Sequence, residues 1–354
     1  MQANKTSLNQ FIGSERTGSS ILLTFYILLY IFSNNNYTSD FVLIESKHLF
    51  LSLVAFFTIL LRPKIYVYQI FLFVLSLFYL LNGLFLYSLM VIAFAFAVQS
   101  FSAFVDRIPI KILTATVLLL VAYHFLIVSG SLWDTTYGRP RLLAGFHHPK
   151  EFAVLIFSIF ILYWYRSKKL GLVSFTLSLL ILFFVDSRAI LLTLATFGFS
   201  YFLLNIFGIK AIYLIFLLAL LFLTMFAISV FDPQVFNYFD HLSSFRLSKW
   251  LERVFSIGVY TANFRGKFGA DSFIVELFLL SGVAGLVWFF SFIFWAFYKL
   301  SLHQDFLSIF SLSLLISTIV ASLFDTGFAS TGHLLHILCW SFVAAASTRK
   351  NEAL

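Results

Sequence analysis

The sequence predicts an all-α polytopic membrane protein of about twelve transmembrane helices, with two long outer loops, one carrying an interfacial amphipathic helix. Three observations predict it. Of 354 residues, 61% are hydrophobic and 11% charged, with a mean hydropathy of +0.98, whereas a soluble domain is about 45–50% apolar and about 25% charged. Apolar runs long enough to cross a bilayer recur through the chain, and basic residues cluster in alternate connections. Soluble enzymes, nucleic-acid modules and disulfide-stapled secreted domains are thereby excluded, so no nucleic-acid partner is expected. The single Cys339 forms no internal disulfide.

A span needs about 20 apolar residues, and about 17 at the least. On that basis helices are expected at 17–33, 41–61, 65–81, 84–104, 112–128, 152–165, 170–185, 189–207, 211–231, 272–298, 306–324 and 332–348. Lys5 and Arg16 precede the first run in the manner of a signal peptide, but no small-residue cleavage site follows Phe32, which favours a retained helix. The second carries Glu45, Lys47 and His48 near its start, and the sixth, seventh and twelfth are short. The whole chain, 1–354, reads as one integral membrane domain.

The connections fix an orientation. With the N-terminus inside, the inner segments hold 13 basic and four acidic residues, a net +9; the other 10 basic and 11 acidic residues fall outside, a net −1. Cytoplasmic loops are enriched in Lys and Arg, so both termini are expected in the cytoplasm.

Two outer loops, 129–151 and 232–271, exceed the length of mere connectors. They hold eight of the ten outer basic residues: Arg139, Arg141 and Lys150, then Arg246, Lys249, Arg253, Arg265 and Lys267. In Arg139-Pro140-Arg141 the proline favours extended geometry before it. Residues two apart on an extended chain share a side, so both guanidinium groups suit one anion; a solvated loop facing lipid headgroups is the alternative. Within about 242–256, Leu247, Trp250, Leu251, Val254 and Phe255 recur at helical spacing over an arc of about 140°, and Arg246, Lys249 and Arg253 fall within about 60° elsewhere. That is an amphipathic helix lying on the membrane, with Asp240, Ser243 or Ser244 as its cap. Both anchoring to anionic headgroups and binding a lipid-linked substrate fit it.

Arg188 stands in the short turn Asp186-Ser187-Arg188 between two apolar helices, where an ionisable residue is costly and usually functional. An ion pair with Asp186 is the structural alternative. Asp271 and Glu276 open the tenth span five residues apart, about 140° around a helix, so they do not both face one atom. Arginine donates bidentate hydrogen bonds to phosphate and stays charged, which suits a polyprenyl-pyrophosphate donor whose leaving group gains charge. The attacking sugar hydroxyl needs a proton acceptor. Asp271 is the first candidate and Glu276 the second. No cofactor is called for, and no metal site is expected: the outer loops hold no Asp-x-Asp, and the adjacent His147 and His148 point in different directions. His124, His333 and His336 read as packing residues near helix ends.

The chain resembles a known family at this point. Arg141-Leu-Leu-Ala-Gly145-Phe-His-His148-Pro149-Lys-Glu-Phe-Ala153 resembles the R-x-x-G-F-x-x-P-N segment of bacterial O-antigen polymerases and ligases. Asp186-Ser187-Arg188-Ala189 resembles their S-R-G/A turn. The run from Gly269 through Asp271, Ser272, Glu276 and Gly282 to Gly285 resembles their D/H-N/S-x-x-L…G-x-x-G segment. The order and helix spacing are the family's, over roughly residues 112 to 300.

The resemblance implies a glycosyltransferase of the bacterial inner membrane, without required metal, in lipopolysaccharide biosynthesis. The two long loops would then be periplasmic. Ligases typically carry histidine then asparagine in the third segment, and Asp271-Ser272 departs toward the Wzy-type polymerase. Such a polymerase moves a glycan from undecaprenyl pyrophosphate onto an undecaprenyl-pyrophosphate-linked repeat unit, with membrane lipid and a chain-length regulator protein as further partners. Arg188 matches the turn arginine, and Arg246 and Arg265 are both open as the large-loop arginine. Lys150 stands where asparagine is common. A ligase acting on lipid A core and a flippase of lipid-linked sugars are the competing readings, although transporters place charge near the bilayer midplane, where this chain has almost none.

Overall fold

A computed structural model describes residues 21–34, 41–61, 64–103, 110–126, 133–134, 141–142, 144, 146, 148–185, 187–208, 210–214, 234, 236–237, 240, 248, 272–323 and 333–348. Of the expected spans, all but the ninth appear as helices, with ends moved by a few residues; of the ninth, 211–231, only 211–214 belong to the described residues. They are α1 (Ile21–Ser33), α2 (Phe41–Leu61), α3 (Val67–Leu81), α4 (Phe85–Ser102), α5 (Ile110–Leu126), α6 (Pro149–Arg166), α7 (Lys168–Val185) and α8 (Arg188–Phe207). Helix resumes at 210–214, then in α9 (Phe273–Ser281), α10 (Val283–Ser301), α11 (Phe306–Ser322) and α12 (Leu334–Thr348). Among the described residues, α4, α8 and α10 are long and apolar enough to cross a membrane, and seven shorter apolar helices accompany them. Less than half of each of those three is covered by the rest of the protein. Side chains such as Leu119, Phe183 and Phe294 stand outward, and so broad an apolar exterior marks a surface made for lipid.

One expectation is corrected. The tenth span is broken into α9 and α10 at Gly282, whose φ of 60° and ψ of −144° suit glycine alone. The apolar residues on both sides disguise the break. Outside the helices, Trp133–Asp134 (β1) and Arg141–Leu142 (β2) form a small antiparallel ladder, with Asp134 opposite Arg141.

Capping explains several helix starts. Pro149 occupies the first turn of α6, where a missing N–H costs nothing, and His148 Nδ1 accepts the Lys150 backbone N–H at 3.1 Å. Asp305 caps α11 by accepting the Ser308 N–H at 3.0 Å. Gln69 Oε1 reaches back to the Tyr66 N–H at 2.8 Å to start α3.

The helices form two groups around α12. α2, α3 and α4 pack together; α6 packs on α7, and α8 on α11. α12 touches α4, α6, α10 and α11, so its side chains are nearly all buried. Polar side chains between helices must find partners where no water reaches. Gln69 Nε2 accordingly donates to Gln99 Oε1 at 2.9 Å, Thr58 and Ser100 hydroxyls meet at 2.6 Å, and Trp288 Nε1 donates to the Phe71 carbonyl at 2.8 Å. Aromatic rings fill the α6–α8–α11 junction, where Trp164 meets Phe160, Phe197 and Tyr201 at 5.7, 6.3 and 5.3 Å between centroids. Gly171 lets α7 approach α6 there: a Cβ on it would lie 2.7 Å from Trp164 Cα.

Candidate functional site

Ionisable side chains stand at both ends of the bundle, and those drawn into it, Lys47, Glu151 and Glu276, belong to one end. At this end α1 and α3 finish and α2, α6, α8 and α12 begin; at the opposite end stand Lys64, Arg166, Lys169 and Lys299. The centres of the helices are left to apolar and hydroxyl side chains.

The centre of the assembly is Glu151, in the first turn of α6 and ahead of the apolar stretch 152–165. Tyr30, near the end of α1, donates its hydroxyl to the Glu151 carbonyl oxygen at 3.4 Å. Lys47, two turns into α2, is buried at 8% exposure; its Nζ donates to Asn34 Oδ1 at 3.4 Å and lies 5.9 Å from the centre of the Tyr30 ring. His333, just before α12, faces Glu151 electrostatically and stacks on His336 with 4.3 Å between ring centroids. Glu151 Oε2 is covered and accepts no hydrogen bond, and the residue makes no ion pair among the described residues. Burial pushes its carboxyl above the ordinary carboxylate range, while Lys47, His333, a hydrogen bond from the His148 backbone and Lys150 oppose that shift.

The sequence-predicted residues fall around this centre unevenly. Arg141 lies on β2, half-buried with its Nε turned inward, and β2 rests against α7. Arg188 is the first residue of α8 and is exposed. Glu276 is buried at 6% exposure in the first turn of α9, on the side of Tyr79. Asn82, which ends α3, donates to the Leu280 carbonyl at 2.8 Å and holds α9 there. Glu276 thus lies on the α3 side of the bundle and Arg188 on the α7–α11 side. Arg139, Asp186, Arg246, Lys249, Arg253, Arg265, Lys267 and Asp271 lie outside the described residues, as does most of the expected amphipathic helix. Within that loop, Asp240 Oδ1 accepts the backbone N–H of Ser248 at 3.0 Å.

Lys47, Glu151 and His333 were not among the predicted site residues. A signal existed for Lys47, the one outer basic residue inside an apolar span rather than in a loop or turn. For metal binding, no group of three His, Cys, Asp or Glu side chains comes together among the described residues.

No protein-family model, curated protein or solved structure matches the chain.

Proposed function

We propose that the chain is an O-antigen repeat-unit polymerase. It acts in the bacterial inner membrane with twelve spans and both termini cytoplasmic, transferring a glycan from undecaprenyl pyrophosphate onto an undecaprenyl-pyrophosphate-linked repeat unit. One observation supports this above the rest: the segment Arg141 to Ala153, which resembles the family, enters the bundle where Lys47, Glu151 and His333 converge. Buried charge inside an apolar helical bundle is expensive and usually functional.

Arg141 and Arg188 stand at this end with guanidinium groups suited to a diphosphate. The large-loop cations Arg246, Lys249, Arg253 and Arg265 add to that charge on the periplasmic surface. As the sugar leaves, they stabilise the growing charge on the pyrophosphate, and a carboxylate accepts the proton of the attacking hydroxyl. Membrane lipid presents both polyprenyl chains at that depth.

The test is purified protein in bilayers with a defined undecaprenyl-pyrophosphate-linked repeat unit and no added metal. A ladder of polymer is expected. Transfer only when lipid A core is supplied would make it a ligase, and no transfer under either condition would remove the glycosyltransferase reading.

A further inference from the structure

We infer that α9 is a re-entrant half-helix. Ser272, the first residue after the outer loop 232–271, stands inside the bundle; α9 runs from there back to the outer end, and α10 alone crosses the membrane. The inference rests on packing and holds whether or not the chain is a polymerase.

α3 gives the direction, because it runs toward the end where α6 and α12 begin. α9 runs the same way. Its Glu276 lies near Tyr79, and its Leu280 carbonyl accepts the Asn82 Nδ2 at 2.8 Å, so later residues of α9 meet later residues of α3. α10 runs the opposite way: Trp288 packs on Phe78 with 6.4 Å between ring centroids, and Phe292 and Trp295 each pack on Phe71 at 5.5 Å. α9 and α10 are therefore antiparallel. Their direct contacts agree. The rings of Phe273 and Phe289 lie 6.1 Å apart, and a Cβ on Gly285 would lie 2.9 Å from both the Cγ and the carbonyl oxygen of Leu277. Along an unbroken helix those pairs would be separated by about 24 Å and about 12 Å.

Two glycines allow the fold-back. Gly282 supplies the positive φ of the corner, and Gly285 leaves room for α9 to lie against the first turn of α10. With nine residues, α9 reaches about 13 Å in from the corner. The 19 residues of α10 extend about 28 Å, close to the hydrocarbon thickness of about 30 Å, so the length of α9 is not needed for a crossing. None of residues 272–282 is exposed, and Ser272 keeps 1% of its surface. Backbone outside a helix is tolerated at membrane depth where protein covers it, and the extended Ser272, with φ −154° and ψ 122°, meets that condition. Glu276 in the first turn sets an acid at the positive end of the α9 dipole, within the bundle. The outer loop thus ends at a point inside the bundle rather than above it. On the polymerase reading, chemistry at the end of that loop is sheltered from bulk water.

Dipolar EPR between spin labels on Ile274→Cys and Tyr298→Cys tests the hairpin, in the full chain carrying Cys339→Ser and reconstituted in lipid bilayers. A continuous helix would hold these positions about 36 Å apart. In the hairpin Ile274 comes level with Trp288, which leaves about 15 Å along the axis and about 9 Å across it. A distance distribution centred near about 18 Å is expected from those two components. One centred near about 36 Å overturns the inference. Should the Ile274→Cys protein fail to fold, labels on Val275→Cys and Tyr298→Cys give the same decision, at about 19 Å for the hairpin and about 35 Å for a continuous helix.

Discussion

Alanine at Gly171 and at Gly198 should change stability in opposite directions. Both glycines lie inside helices, where alanine is favoured over glycine by about 0.8–1.0 kcal/mol. At Gly198 a Cβ would meet only Phe175 Cε2, at 3.9 Å, an ordinary contact. Gly198→Ala should therefore gain up to about 1 kcal/mol. At Gly171 the same atom would lie 2.7 Å from Trp164 Cα and 2.9 Å from its Cε3. Carbon atoms prefer about 3.5–4.0 Å, so α6 and α7 would have to separate by about 1 Å. The Trp164 ring is held by Phe160, Phe197 and Tyr201, and turning it would not relieve the clash with Cα. Overpacking of this kind costs about 1–3 kcal/mol. After the helix-propensity gain, Gly171→Ala should lose up to about 2 kcal/mol. Reversible unfolding in one defined detergent, with both variants beside wild type, measures the difference. A Gly171→Ala protein as stable as Gly198→Ala would refute the close α6–α7 contact that sets Glu151 and Arg188 at the same end.

Trp288→Phe removes the hydrogen bond to the Phe71 carbonyl and should cost about 1 kcal/mol in the same unfolding assay. Arg188→Ala and Asp271→Ala should each abolish polymer while the protein still inserts; glycan analysis that finds single-repeat-capped core agrees, and normal polymer removes that residue from the mechanism. Replacing Arg246, Lys249 and Arg253 together by Gln should lower polymer yield without affecting insertion, and unchanged chain length would leave the amphipathic helix as an anchor.

The helices were legible because a bilayer demands long apolar segments, and 41–61 is read with the bounds that the structure shows. Ends moved where caps decide them. Pro149 and His148 start α6 three residues before its apolar stretch, because a helix start follows backbone hydrogen bonding rather than hydropathy. The Gly282 break was hidden because a glycine at positive φ and one at a packing contact look alike in sequence. Arg141 and Arg188 could be singled out from charge in the wrong place for their loops. The Lys47–Glu151–His333 assembly could not, since it joins helices far apart in the chain: Tyr30 and Glu151 meet across 121 residues. Periodicity within a helix says which face is apolar, but not which distant helix covers it.

The central claim is that the charged end of the bundle faces the periplasm. Single cysteines at His148 and Arg188, both exposed at that end, and at Lys64 and Lys169, both exposed at the other, can be compared in intact spheroplasts with a membrane-impermeant maleimide. The native Cys339 is buried and can be replaced by serine as background. His148→Cys and Arg188→Cys should label from outside, with Lys64→Cys and Lys169→Cys labelling only after the membrane is opened. The reverse pattern would put the arginines in the cytosol, away from any periplasmic donor, and would contradict the account.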